Sequence, residues 1–94
     1  MDNEGYPEDA VIKAITEYVP DDRTGWTDLV NLIKAAWNEP MGSLRQEGSR
    51  LILVTGGWSG NEEVIGALQS NRLFWACCWD LSKRGGYFEF DLGR

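Results

Sequence analysis

Two unbroken apolar runs, Leu51-Ile52-Leu53-Val54 and Leu73-Phe74-Trp75-Ala76-Cys77-Cys78-Trp79, do most to limit what this chain can fold into. Neither alternates with polar residues, so each must be shielded on more than one side. Both are far shorter than the roughly 20 apolar residues a membrane helix needs. The spacing predicts a strand for each. The first takes a central place in a sheet. The second carries Leu73, Trp75, Cys77 and Trp79 on one face and Phe74, Ala76 and Cys78 on the other. Tyr87 to Leu92 alternates, with Phe88, Phe90 and Leu92 against Tyr87, Glu89 and Asp91, which predicts a half-buried antiparallel strand at a sheet edge. Lys83-Arg84-Gly85-Gly86 turns the chain between the last two strands.

Helices fill the remainder. Pro7 opens one over residues 7–18, with Val11, Ile12, Ile15, Tyr18 and Val19 at helical spacing and Pro20 ending the run. After a turn at Pro20–Gly25, a second spans 26–38 on the stripe Trp26, Leu29, Val30, Ile33, Ala36 and Trp37, with Thr24 or Thr27 as its cap. Residues 39–49 read as a loop anchored by Leu44. Ser59 and Glu62 have the spacing of a capping box, so Gly56, Gly57, Ser59, Gly60 and Glu62 form a structural loop and cap before a helix at 61–70, stopped by Asn71. The expected fold is α+β: a small three-stranded mixed sheet packed on three helices, in the order α-α-β-α-β-β, with a parallel crossover through the third helix. Residues 1–94 form a single domain, with a helical acidic part over 1–40 and a β-α-β-β part over 50–92. For 10.6 kDa, area scaling gives a folded surface of roughly 5,500 Å².

The chain has no histidine, which removes the commonest general base and metal ligand. Its two cysteines, Cys77 and Cys78, are adjacent, a poor geometry for a bridge and no metal spacing. They read as reduced, packed thiols in a reducing compartment. The glycine loop lacks the lysine of a phosphate-binding loop, and Glu62 and Glu63 would repel an anion there. Ser59 has no base to activate it, and nothing selects a working pair among Glu62, Glu63, Asp80, Glu89 and Asp91. No catalytic residue, metal site or cofactor is expected, and the chain does not read as an enzyme.

Charge and aromatic content are more informative. Residues 1–30 hold eight acids against two bases, which is the whole net charge of −6; residues 31–94 are balanced. Such a region repels phosphate, so direct nucleic-acid binding is not expected, and it attracts basic surfaces. Five tryptophans in 94 residues exceed what a small core needs. Asp21, Asp22 and Asp28, with Trp58, Trp75, Trp79 and Tyr87, are therefore the expected partner-binding residues, Trp58 being the most exposed of the tryptophans.

Thr55-Gly56-Gly57-Trp58-Ser59-Gly60-Asn61-Glu62, then Phe74-Trp75, Cys78-Trp79, Ser82 and Arg84-Gly85-Gly86-Tyr87, resembles a family of small proteins encoded by bacteriophages and prophages. The resemblance covers about residues 51–92; residues 1–50 match only loosely. Tyr87 stands where a histidine is expected in that family. The resemblance implies a phage origin and a place in the bacterial cytoplasm, and no activity comes with it. Together these features predict a small acidic protein, a monomer or small homo-oligomer, that binds and inhibits or modulates a host protein with a basic surface. Its most concrete form is an anti-CRISPR-type inhibitor masking a nucleic-acid-binding surface. The alternatives are a small ligand-binding domain or enzyme using the Gly56–Glu63 loop, and a virion or assembly subunit.

Overall fold

The structure, a computed structural model, describes residues 4–93; Asp2, one of the eight N-terminal acids, lies outside them. The described elements are α1 (Asp9–Glu17), α2 (Thr27–Ala36), β1 (Ser43–Glu47), β2 (Arg50–Val54), α3 (Ser59–Ser70), α4 (Arg72–Cys78), β3 (Trp79–Lys83) and β4 (Tyr87–Asp91). The class is α+β as expected, with four helices and four strands among the described residues rather than three of each. The sheet order is β1-β2-β4-β3 and every pairing is antiparallel. The folded surface is 5462 Å², close to the scaling value.

Three expectations are corrected. The Leu73–Trp79 run is helical up to Cys78, and only Trp79 is in a strand. An unbroken apolar run carries no period of its own, so a buried helix and a buried strand look alike in it. Asn71 decides the matter: its side chain accepts a hydrogen bond from the Phe74 N–H at 3.1 Å, capping α4 as it ends α3. Residues 43–47 are a strand rather than loop. The Gly48-Ser49 pair, with Gly48 at φ +60, closes a two-residue hairpin from Glu47 to Arg50. Finally, β4 is interior rather than at an edge: it lies between β2 and β3, which run parallel and are joined through α3 and α4, so no hydrogen-bonded pair is parallel and the sheet is not mixed.

The helices cover one face of the sheet. Leu51, Leu53 and Phe90 face them and join Ile15, Leu29, Ile33, Val64, Leu68 and Phe74 in a core with no exposed surface. β2 is central, as its apolar run predicts. Ile52 points to the other face, where it is 8% exposed. Arg45 and Glu89 flank it there on β1 and β4, and the stems of such long polar side chains shield it.

Two buried asparagines tie the helices together. Asn71 donates to the Ile15 and Tyr18 carbonyls at 3.0 and 2.9 Å, joining the α3–α4 junction to the end of α1. Asn61 accepts from the Asn38 N–H at 2.8 Å and donates to the Asn38 and Thr55 carbonyls. The loop after β2 passes Gly56 at φ +65, where any side chain would run into the Met41 carbonyl.

Candidate partner-binding surface

Helix α4 is too short to bury all its apolar residues. Phe74 and Cys78, four apart, enter the core, which leaves the opposite side outward. Leu73 is 47% exposed, Ala76 is exposed, and Trp79 at the helix end is 38% exposed, a strip at three-residue spacing. Trp75 stacks on Trp79 at 5.9 Å with 12° between planes, and the Trp79 indole N–H donates to Ser82 Oγ at 2.8 Å. These bonds hold Trp79 in a fixed pose at the surface.

A further exposed apolar side chain lies just past the end of α1. Val19, 73% exposed, follows Tyr18, whose carbonyl is held by Asn71, two residues before Leu73. Exposed Glu17, Asp21 and Asp22 flank Val19 along the chain, while Arg72 borders Leu73. The acidic turn is ordered by its own bonds: Asp21 accepts from the Arg23 N–H at 2.6 Å through its carboxylate and from the Gly25 N–H at 2.7 Å through its carbonyl.

No side chain of Thr24 or Thr27 caps α2, whose N-cap is Trp26. The Tyr18 phenol lies near that helix start, donating to the Gly25 carbonyl at 2.8 Å. Burial, then the nearby Asp28 carboxylate, pushes its pKa above the usual tyrosine value. A chain of rings runs inward from there, Tyr18 to Trp26, Phe74, Phe90, Trp75 and Trp79, with successive centroids 5.1 to 6.1 Å apart. A continuous chain of rings thus links the end of α1 to the tryptophan pair through the core.

The expected partner-binding residues do not all gather here. Asp21, Asp22 and Asp28 are exposed at the acidic turn and the start of α2, and Trp79 lies on the strip with half-buried Trp75 stacked against it. Trp58 is half-buried rather than the most exposed tryptophan; it packs on Tyr6 at 4.7 Å, with its indole N–H enclosed and unpartnered. Tyr87 lies on the opposite face of the sheet. Ser59 does not form the capping box: Trp58 is the N-cap of α3, and the Ser59 hydroxyl pairs with Tyr6 at 2.9 Å. Glu62 remains in the first turn, near the positive end of the helix. Nothing in the sequence marks Val19 and Leu73 as surface residues. A valine just before Pro20 and a leucine in an apolar run each look like core until the helix sets their direction.

The open sheet face carries a second cluster. Arg50 bridges Asp80 at 3.1 Å and Glu89 at 2.7 Å, Tyr87 donates to Glu89 at 2.7 Å, and the Lys83 ammonium sits 5.1 Å from the Tyr87 ring centroid. The Tyr87 hydroxyl, then Arg50, hold the Glu89 carboxyl below its usual range. A polar cleft of about 260 Å³ lies between α2 and the β1–β2 turn, lined by Trp26, Asn31, Lys34, Gln46 and Ser49 among others. Among the described residues, no group of three or more histidine, cysteine, aspartate or glutamate side chains could hold a metal ion. No helix among the described residues is long and apolar enough to cross a membrane. Comparison with protein-family models, curated proteins and solved structures finds no match to this chain.

Proposed function

We propose that this protein works by binding, and that Val19 and the strip Leu73, Ala76 and Trp79 form the apolar anchor of a docking surface whose acidic margin selects a basic partner. The observation that carries this reading is the exposure of Val19, Leu73 and Trp79, with Val19 two residues from the ordered Asp21 turn. A water-exposed tryptophan fixed by a stacked neighbour and a hydrogen bond loses little freedom on binding, which suits an interface anchor. Carboxylates beside it speed encounter with a basic surface and contribute less to the final affinity. Taken with the resemblance to phage-encoded proteins, the partner is a host protein, and the most concrete form is an inhibitor that masks a nucleic-acid-binding surface.

The test begins with affinity capture from a bacterial host, run in parallel with the wild-type chain and a Leu73→Asp/Trp79→Ala variant. A captured basic protein that the variant fails to retain supports the reading. Association with that protein is then followed against salt. The Asp21→Lys/Asp22→Lys/Asp28→Lys variant is expected to associate more slowly and with a flatter salt dependence. Equal capture by the strip variant, or unchanged association after charge reversal, overturns the reading.

A further inference from the structure

The two edges of the sheet are built differently. The β3 edge is irregular, its register with β4 shifting between Trp79 and Leu81. Such a bulge discourages pairing with another strand. The β1 edge is regular, with five consecutive residues in unbroken register with β2.

The hydrogen-bond phase of β1 follows from its neighbours. Thr55 N–H donates to the Gly86 carbonyl, and Leu92 N–H to the Ser49 carbonyl, both in the β2–β4 register. Antiparallel ladders alternate, so Leu51 and Leu53 also direct their backbone groups to β4, and Arg50, Ile52 and Val54 direct theirs to β1. Their partners Glu47, Arg45 and Ser43 are thereby used. The backbone N–H and C=O of Leu44 and Gln46 point away from the sheet, along the free edge.

Arg45 and Glu47 flank Gln46 and share the open face of the sheet, opposite Ile52 and Arg50. They pair with each other at 3.3 Å, with side chains 66% and 60% exposed. Charges on an edge usually keep other strands away. Two opposite charges two residues apart instead make one register complementary and leave the others without that complement. In an antiparallel pairing of two copies about Gln46, the Gln46 residues exchange both backbone hydrogen bonds, and each Arg45 faces the other copy's Glu47. Those are non-hydrogen-bonded positions, where facing residues come closest, about 4.5 Å between Cα atoms. A one-residue shift puts the outward backbone groups of Leu44 and Gln46 out of phase, and the next registers in phase, shifted by two and four residues, set Arg45 against Arg45 or against Ser43.

We propose that β1 is a docking strand for a second copy of this chain, joined antiparallel about a two-fold axis at Gln46 so that the two sheets become continuous. Short strands bury little area, which places the dimer among weak, concentration-dependent assemblies.

Sedimentation velocity over a range of protein concentrations tests this on the full chain. The wild type is expected to shift from monomer toward dimer as concentration rises. Gln46→Pro removes an N–H that the internal ladder does not use, and proline is tolerated on such an edge. It is expected to stay monomeric with unchanged thermal unfolding. Arg45→Glu and Glu47→Arg each place like charges opposite one another and are expected to weaken association at least about tenfold. The double reversal Arg45→Glu/Glu47→Arg restores the complement and is expected to recover it. A wild type that remains monomeric at the highest concentration overturns the proposal. So does a dimer that Gln46→Pro or the single reversals leave intact. If Gln46→Pro fails to fold, the single and double reversals decide, since an exposed ion pair contributes little to stability.

Discussion

Asn71 uses every polar group it has while only 4% exposed. Its amide NH₂ serves two α1 carbonyls, its side-chain oxygen caps α4, its backbone N–H closes α3 on Ala67, and its carbonyl receives Trp75 N–H. An aspartate there keeps the capping oxygen but sets a carboxylate against the Ile15 and Tyr18 carbonyls. Asn71→Ala is expected to lower stability by about 2–4 kcal/mol, and Asn71→Asp at neutral pH by at least as much, in urea unfolding. An aspartate variant clearly more stable than the alanine one would mean that the two carbonyl bonds contribute little. From the sequence, Asn71 is recognisable as a helix stop, because asparagine suits helix ends. Its bonds to Ile15 and Tyr18 span 56 and 53 residues, and no local pattern encodes a partner so distant.

At the scale of elements, both amphipathic helices at the N-terminus and the Tyr87 strand were legible, because alternation and helical spacing each leave a period in the residues. The final hairpin was legible from its glycines. What was lost is what has no period. β1 buries only Leu44 even partly, and its sequence SLRQE is an edge strand held by its neighbour's ladder and by the Gly48-Ser49 turn. Without β1, the sheet order could not be deduced. α4 is the reverse case, apolar from Leu73 to Cys78 and hence readable both ways. The two readings differ most at Ala76. As a strand residue it shares a face with Phe74 and Cys78, both fully buried; as a helix residue it is exposed. Ala76→Lys is therefore expected to change stability by less than about 0.5 kcal/mol in chemical denaturation. A loss of several kcal/mol would put position 76 in the core and sink the helical assignment.

Over the whole molecule, the charge asymmetry found by counting takes on a spatial meaning. The acidic turn joins α1 to α2, with exposed Val19 next to it in the chain. The open sheet face is mixed, with Arg45, Arg50 and Lys83 interleaved with Glu47, Asp80, Glu89 and Asp91. That face makes stability depend on pH at both ends. Glu89 titrates lower in the folded chain than in the unfolded one, chiefly because Tyr87 donates to it. Between the two pKa values the unfolded chain binds more protons, so this contribution is present above the unfolded value, about 4.3, and is lost as pH falls through the folded one. Tyr87 shifts the other way, raised first by its bond to Glu89 and then by burial. Its contribution is complete below the unfolded phenol value, about 10, and is lost as pH rises through the folded one. Both shifts depend on the same carboxylate. Thermal unfolding of wild type and Glu89→Gln should accordingly differ most, with wild type the more stable, between about pH 5 and 9, the difference shrinking toward both extremes. Tyr18, whose pKa is also raised, cancels in that comparison because Glu89 is not among the groups acting on it. A difference that stays constant from acid to alkali would show that the Tyr87–Glu89–Arg50 network adds shape to the sheet face and no pH-dependent stability.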